Sequence, residues 1–188
     1  MKSLVDSIQP IQNLNITRHL VTEDGAYPNN GLLPLLLYHH AFPVTESEDT
    51  IKELLETNSW SNTWVDGIYD YHHYHSTAHE VLVVLSGSAR VQFGGPNGIT
   101  LPIEKGDVII IPAGVAHKRI DEVDDFTCLG AYPMGQDYDM NYGKKEERPH
   151  AEENIRHLPL PENDPLYGYD GPLVKSWFPE SKRTAQSL

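Results

Sequence analysis

Gly67-Ile68-Tyr69-Asp70-Tyr71-His72-His73-Tyr74-His75-Ser76-Thr77-Ala78-His79-Glu80 gathers four histidines and a glutamate into its last nine residues, just ahead of the apolar run Val81 to Leu85. In extended chain, successive side chains point to opposite faces, so His73 and His75 share one face while His72 and Tyr74 take the other. Two imidazoles at that spacing can bind one metal ion. If Ser76 to His79 form a turn, Glu80 opens the returning strand opposite them and offers an oxygen. Further on, Gly106-Asp107-Val108-Ile109-Ile110-Ile111-Pro112-Ala113-Gly114-Val115-Ala116-His117 reads as a turn glycine, a buried strand, a proline-glycine turn and one more histidine. His117 completes a ligand set of His73, His75, Glu80 and His117. Such a set suits one divalent transition metal, whether Fe, Mn, Ni, Co, Cu or Zn.

The neighbouring text supplies short strands. Asn15 to Val21 and Leu32 to Tyr38 read as strands around a turn-rich segment, with Pro34 expected to put the second at a sheet edge. Thr45 and Glu48 are spaced as a capping box, and Ile51, Leu54 and Leu55 fall at helical spacing, which predicts one short helix over Thr45 to Thr57. From Tyr69 to Tyr132, Val81-Leu85, Ala89-Phe93, Ile99-Ile103, Val108-Ile111 and Phe126-Tyr132 alternate with Gly and Pro turn signals, the pattern of an antiparallel sandwich or barrel. After Pro133 the text is polar and proline-rich and reads as an irregular C-terminal arm, tied down by Leu173, Trp177 and Phe178. The expected organisation is one domain over 1-188: N-terminal strands and helix (1-58), barrel core (59-133) and arm (134-188).

Composition restricts partners. A formal charge of -13 repels phosphate backbones and anionic lipid, so nucleic acid and membrane are not expected partners. The apolar clusters are far too short to span a bilayer, the first twenty residues lack a signal-like apolar stretch, and Cys128 stands alone. These features predict a cytoplasmic chain without an intrachain disulfide.

The two histidine segments carry a resemblance. Gly67, His73, His75, Glu80 and Gly87 match every step of the first motif of the cupin superfamily, and Gly106, Pro112, Gly114 and His117 match the second up to its last position, where Asp121 replaces the usual Asn. Nine residues at fixed spacings arise by chance far less often than about one time in a million. The wording around them resembles the YjlB-like branch of small single-domain cupins. That resemblance implies a mainly all-β double-stranded β-helix or jelly-roll barrel, with the four donors named above as metal ligands.

Cupins include oxidoreductases, isomerases, decarboxylases and non-catalytic binding proteins. The expected function is a metal-dependent oxidoreductase of the dioxygenase type acting on a small oxygenated molecule; the alternatives are a non-catalytic metal or small-ligand binding protein and a cupin isomerase or decarboxylase. Tyr69 and Tyr71 share the face of His73 and His75 and are candidate substrate contacts, Tyr71 also as a catalytic proton carrier. Arg119, two residues past His117, is a candidate carboxylate clamp. His79 is turned away by alternation and reads as a neighbour of the site. His19, His39, His40, His150 and His157 have no partner pattern, and Trp60, Trp64 and Trp177 read as packing aromatics. Both faces of Val81 to Leu85 are apolar, so one must be covered by the N-terminal strands, the tail or a second subunit; a homodimer is expected, since cupins often pair through such sheets.

Overall fold

The computed structural model describes residues 4–178. After two short 3-10 turns come β1 (Asn15–Val21), β2 (Asn30–His39), α1 (Glu48–Thr57), β3 (Trp60–Asp66), β4 (Glu80–Phe93), β5 (Ile99–Glu104), β6 (Val108–Ile111) and β7 (His117–Pro133). A third 3-10 turn, α2 (His150–His157) and α3 (Pro172–Trp177) complete the chain. The strands form one antiparallel sheet in the order β1-β2-β6-β4-β7-β3, with β5 also paired to β4. The protein is mostly β, as expected.

The register shows how this sheet closes. Glu80 opens β4, whereas His117 pairs with Phe93 at its far end. A straight strand of that length would hold its ends about 40 Å apart, yet Glu80 Oε2 lies 3.3 Å from His117 Nε2. β4 therefore folds back on itself. The bend passes through Gly87, which has φ +64° and where a Cβ would sit 2.3 Å from the Val123 carbonyl oxygen. Only glycine fits there.

Alternation along β2, β4 and β6 divides the apolar residues between two cores. Leu35, Leu37, Leu82, Val84, Ile109 and Ile111 fill the barrel interior with Val91, Phe93 and Phe126. Leu36, Tyr38, Val81, Val83, Val108 and Ile110 face outward onto α1, Leu173, Val174 and Trp177. The second apolar face of β4 is thus covered by α1, which the sequence reading did not name, and by the tail, one of the three possibilities it left open.

Several boundaries differ from expectation. Ser47, not Thr45, caps α1, its side chain accepting the Thr50 amide, so the helix starts at Glu48. Pro34 does not make β2 an edge: β2 lies between β1 and β6. The proline is tolerated because β6 pairs only with Leu36–Tyr38, and the β1 register shifts between His19 and Val21, opposite Pro34. Val81-Leu85 and Ala89-Phe93 are one strand, and β7 starts nine residues before Phe126, at His117. The arm contains the short helices α2 and α3, and Leu173 and Trp177 are buried as anticipated. Asp121 pairs through its carboxylate with Arg90 on the exposed β4–β7 ladder, so the motif's departure lies away from the site.

Candidate metal centre

Three stretches of backbone converge at one end of the barrel. His73 sits in extended chain held by an isolated bridge to His117, each residue donating its amide to the other's carbonyl at 3.2 and 2.9 Å. Tyr74, on the opposite face, is bridged to Asn141 and buried against Tyr27 and Ala116. This opposed pair fixes the phase of the segment, so that His73 and His75 both turn inward.

The ring nitrogens are sorted by their hydrogen bonds. His73 Nδ1 lies 3.1 Å from the Tyr71 carbonyl oxygen, His75 Nδ1 2.6 Å from that of Asp139, and His117 Nδ1 3.2 Å from that of Val115. A carbonyl only accepts, so each Nδ1 carries a proton and Nε2 is the nitrogen left to meet a metal ion. His73, His75 and His117 are buried, with potential ligand atoms all within 4.8 Å of one another. The three histidines could hold a metal ion.

Glu80 joins on one side of this group. Its Oε2 lies 3.6 Å from His75 Nε2 and 3.3 Å from His117 Nε2 but has no hydrogen-bond partner. Its Oε1 accepts from the Tyr132 hydroxyl at 2.9 Å, which in turn accepts from Trp64 Nε1 at 2.7 Å. Burial alone would raise the Glu80 pKa, but attraction to His75 and His117 in their protonated form holds it below the ordinary carboxylate range. Burial, with His117 beside it, pushes His73 down to about 3. Burial lowers the His75 pKa, but Glu80 and Asp139 together outweigh it, so the pKa is raised. A buried, orphaned carboxylate oxygen beside imidazole nitrogens is costly unless a cation draws them together, so the donor set fits a divalent transition metal.

His79 stands apart from this group. Its Nδ1 accepts the Ala113 amide at 3.0 Å and its ring packs on Trp177, with centroids 4.8 Å apart. Burial holds it neutral, with a pKa of about 3.

The donors are on the wall of a cavity of ≈ 190 Å³. Tyr69 is on its wall and 50% exposed. Tyr71 is not: it stacks on Tyr69 with centroids 4.8 Å apart and is 41% exposed. Arg119 also lies off the wall, paired with Glu122, while its amide donates to the Tyr69 carbonyl at 2.9 Å. Sequence reasoning missed Tyr132, Tyr138 and Met140 as wall residues and took Trp64 for packing alone. It also missed Asp139, which acts on His75 through a main-chain oxygen and so leaves no side-chain signature.

The cupin domain family matches residues 65–125, the span holding all four candidate donors. Uncharacterized protein YjlB of Bacillus subtilis (strain 168) is 44% identical over 155 residues, covering 82% of this chain and 92% of its own length. The chain belongs to the YjlB-like branch of the cupin family. Among solved structures, this cupin is similar to acireductone dioxygenase from Bacillus anthracis with cadmium ion in its active centre, at 15% identity and a TM-score of 0.38, over 53% of this chain and 73% of that one. It is also similar to procruciferin, the 11S globulin of Brassica napus, at 16% identity and a TM-score of 0.35, over 59% of this chain and 23% of that much longer one.

Proposed function

We propose that this cupin is a metal-dependent oxidoreductase of the dioxygenase type, placing both atoms of O2 into a small oxygenated substrate. The supporting observation is the donor set: the Nε2 atoms of three histidines and the unpartnered Oε2 of Glu80 meet on the wall of one cavity. Bound there, Fe(II) or Mn(II) supplies Lewis-acid and one-electron chemistry. His73, His75, His117 and Glu80 hold the ion, and three neutral rings with one carboxylate leave about one net positive charge to attract an anionic oxygen. Tyr69 is the substrate contact at the mouth. Tyr71 stiffens it by stacking, and Arg119 fixes the main chain beneath it.

Elemental analysis of protein from unsupplemented cells, beside a His75→Ala variant, tests the first step. The wild type is expected to carry close to one metal per chain and the variant less than about a tenth of that. A wild type that takes up no candidate ion even on reconstitution would sink the reading. Oxygen uptake against small keto and hydroxy acids tests the second step; metal without substrate-dependent uptake would move the assignment to a binding protein, an isomerase or a decarboxylase.

A further inference from the structure

On the reading that the metal-centre cavity is where substrate binds, we infer that the substrate is a compact molecule with a ring or branched apolar body and polar oxygens at one end only, and that the cavity rejects sugars and phosphorylated compounds. Three features of the cavity carry this.

The first is size. A cavity of about 150 Å³ accepts a benzene ring, and pockets for larger ligands begin at about 300 Å³. At ≈ 190 Å³, this one takes a single ring or a short branched chain.

The second is the state of the wall's polar atoms. Beyond the four donors, the buried and half-buried side chains of the wall are Trp64, Ile68, Leu82, Tyr132 and Met140, and its exposed ones are Val65, Asp66, Tyr69 and Tyr138. The Trp64 indole N–H can only donate, and it donates to the Tyr132 hydroxyl, whose single proton goes to Glu80. Neither group has a donor left for a ligand. Tyr138 stacks on Tyr132 with centroids 4.5 Å apart. Trp64 lies flat because residue 130 is glycine, where a Cβ would come within 2.2 Å of the indole ring. The buried part of the wall presents ring faces and alkyl groups, while the Asp66 carboxylate and the Tyr69 and Tyr138 hydroxyls belong to exposed wall residues, so a polyhydroxylated ligand would bury its inner hydroxyls without partners.

The third is charge. Among the described residues no Lys or Arg lines the cavity, whereas Asp66 does, and the chain as a whole carries -13. The centre with its divalent ion offers about one positive charge. That accommodates one anionic oxygen and leaves a phosphate dianion uncompensated.

Calorimetric titration of the zinc-loaded protein without oxygen tests the inference. Catechol, a single ring with both oxygens on one edge, is the probe, and glucose 6-phosphate is the comparison. Catechol is expected to bind at least tenfold more tightly. Tyr138→Ala is expected to weaken catechol at least tenfold while leaving zinc stoichiometry unchanged. Absence of catechol binding, a sugar phosphate bound as tightly, or catechol binding indifferent to Tyr138→Ala would each overturn the inference. Zinc is redox-silent, so the outcome is separate from that of the oxygen assay. A protein that binds catechol but never consumes oxygen loses only the dioxygenase reading, and one that consumes oxygen with a sugar phosphate loses only this one.

Discussion

Tyr132 decides which oxygen of Glu80 is free. Its hydroxyl receives the Trp64 proton and gives its own to Oε1, so Oε2 alone faces the imidazoles. Tyr132→Phe keeps the ring and its stacking on Tyr138 but removes the donor. Metal affinity is expected to fall between about tenfold and a hundredfold, the usual effect of losing a group that orients a ligand, and competition with a chromophoric chelator reads it. Unchanged affinity would show that Glu80 needs no such orientation. Residues of this kind mark the limit of what could be read in advance. His73, His75, Glu80 and His117 were legible because their spacing is itself the signal. Tyr132 was not, because its relation to Glu80 exists only once β7 lies beside β4. Tyr69 and Tyr71, taken together on alternation, do lie on one side, stacked on each other and both against His73, but only Tyr69 reaches the wall.

Residues 134–143 form a strap joining β7 to the arm. Tyr138 and Met140 on it line the cavity. The Asp139 carboxylate anchors the strap, accepting from the Ser76 amide at 2.6 Å, the Ser76 hydroxyl at 2.5 Å and Asn141 Nδ2 at 2.8 Å. Burial opposes its charge, but those hydrogen bonds hold its pKa below the ordinary range. Asp139→Ala retains the carbonyl that meets His75 but frees the strap. Hydrogen exchange is expected to quicken across residues 136–142, with metal affinity about tenfold weaker; protection equal to wild type would count against the anchor. The strap could not be read as part of the site, since its text is polar and unpatterned. β1 and β6 were legible as short runs bounded by turn residues. β4 and β7 were cut short because half-buried Ser86-Gly87-Ser88 and mostly exposed Lys118 to Asp125, where only Ile120 and Val123 are apolar, carry no apolar alternation.

The molecule has two large cores, one on each side of the sheet, beside a small cluster of Tyr27, Tyr74, Ala116 and Ala151, and the tail seals the outer one. Asp164 fastens it there: this buried carboxylate accepts from the Tyr38 hydroxyl at 2.5 Å and from the amides of Leu166, Tyr167 and Leu173 at 2.9, 3.1 and 2.9 Å. Asp164→Ala leaves those donors without a partner and is expected to cost about 3 kcal/mol. Urea unfolding measures it, and a loss below about 1 kcal/mol would mean the tail is held by its apolar contacts alone. No helix among the described residues is long and apolar enough to cross a membrane. The strap also sets an order of events. The candidate donors have all been synthesised once the chain reaches His117, but the carbonyl that aims His75 lies 64 residues beyond that histidine. The imidazole stays unaimed until the segment after β7 has folded back over the site, so the ordering of His75 follows the pairing of β7 and cannot precede it.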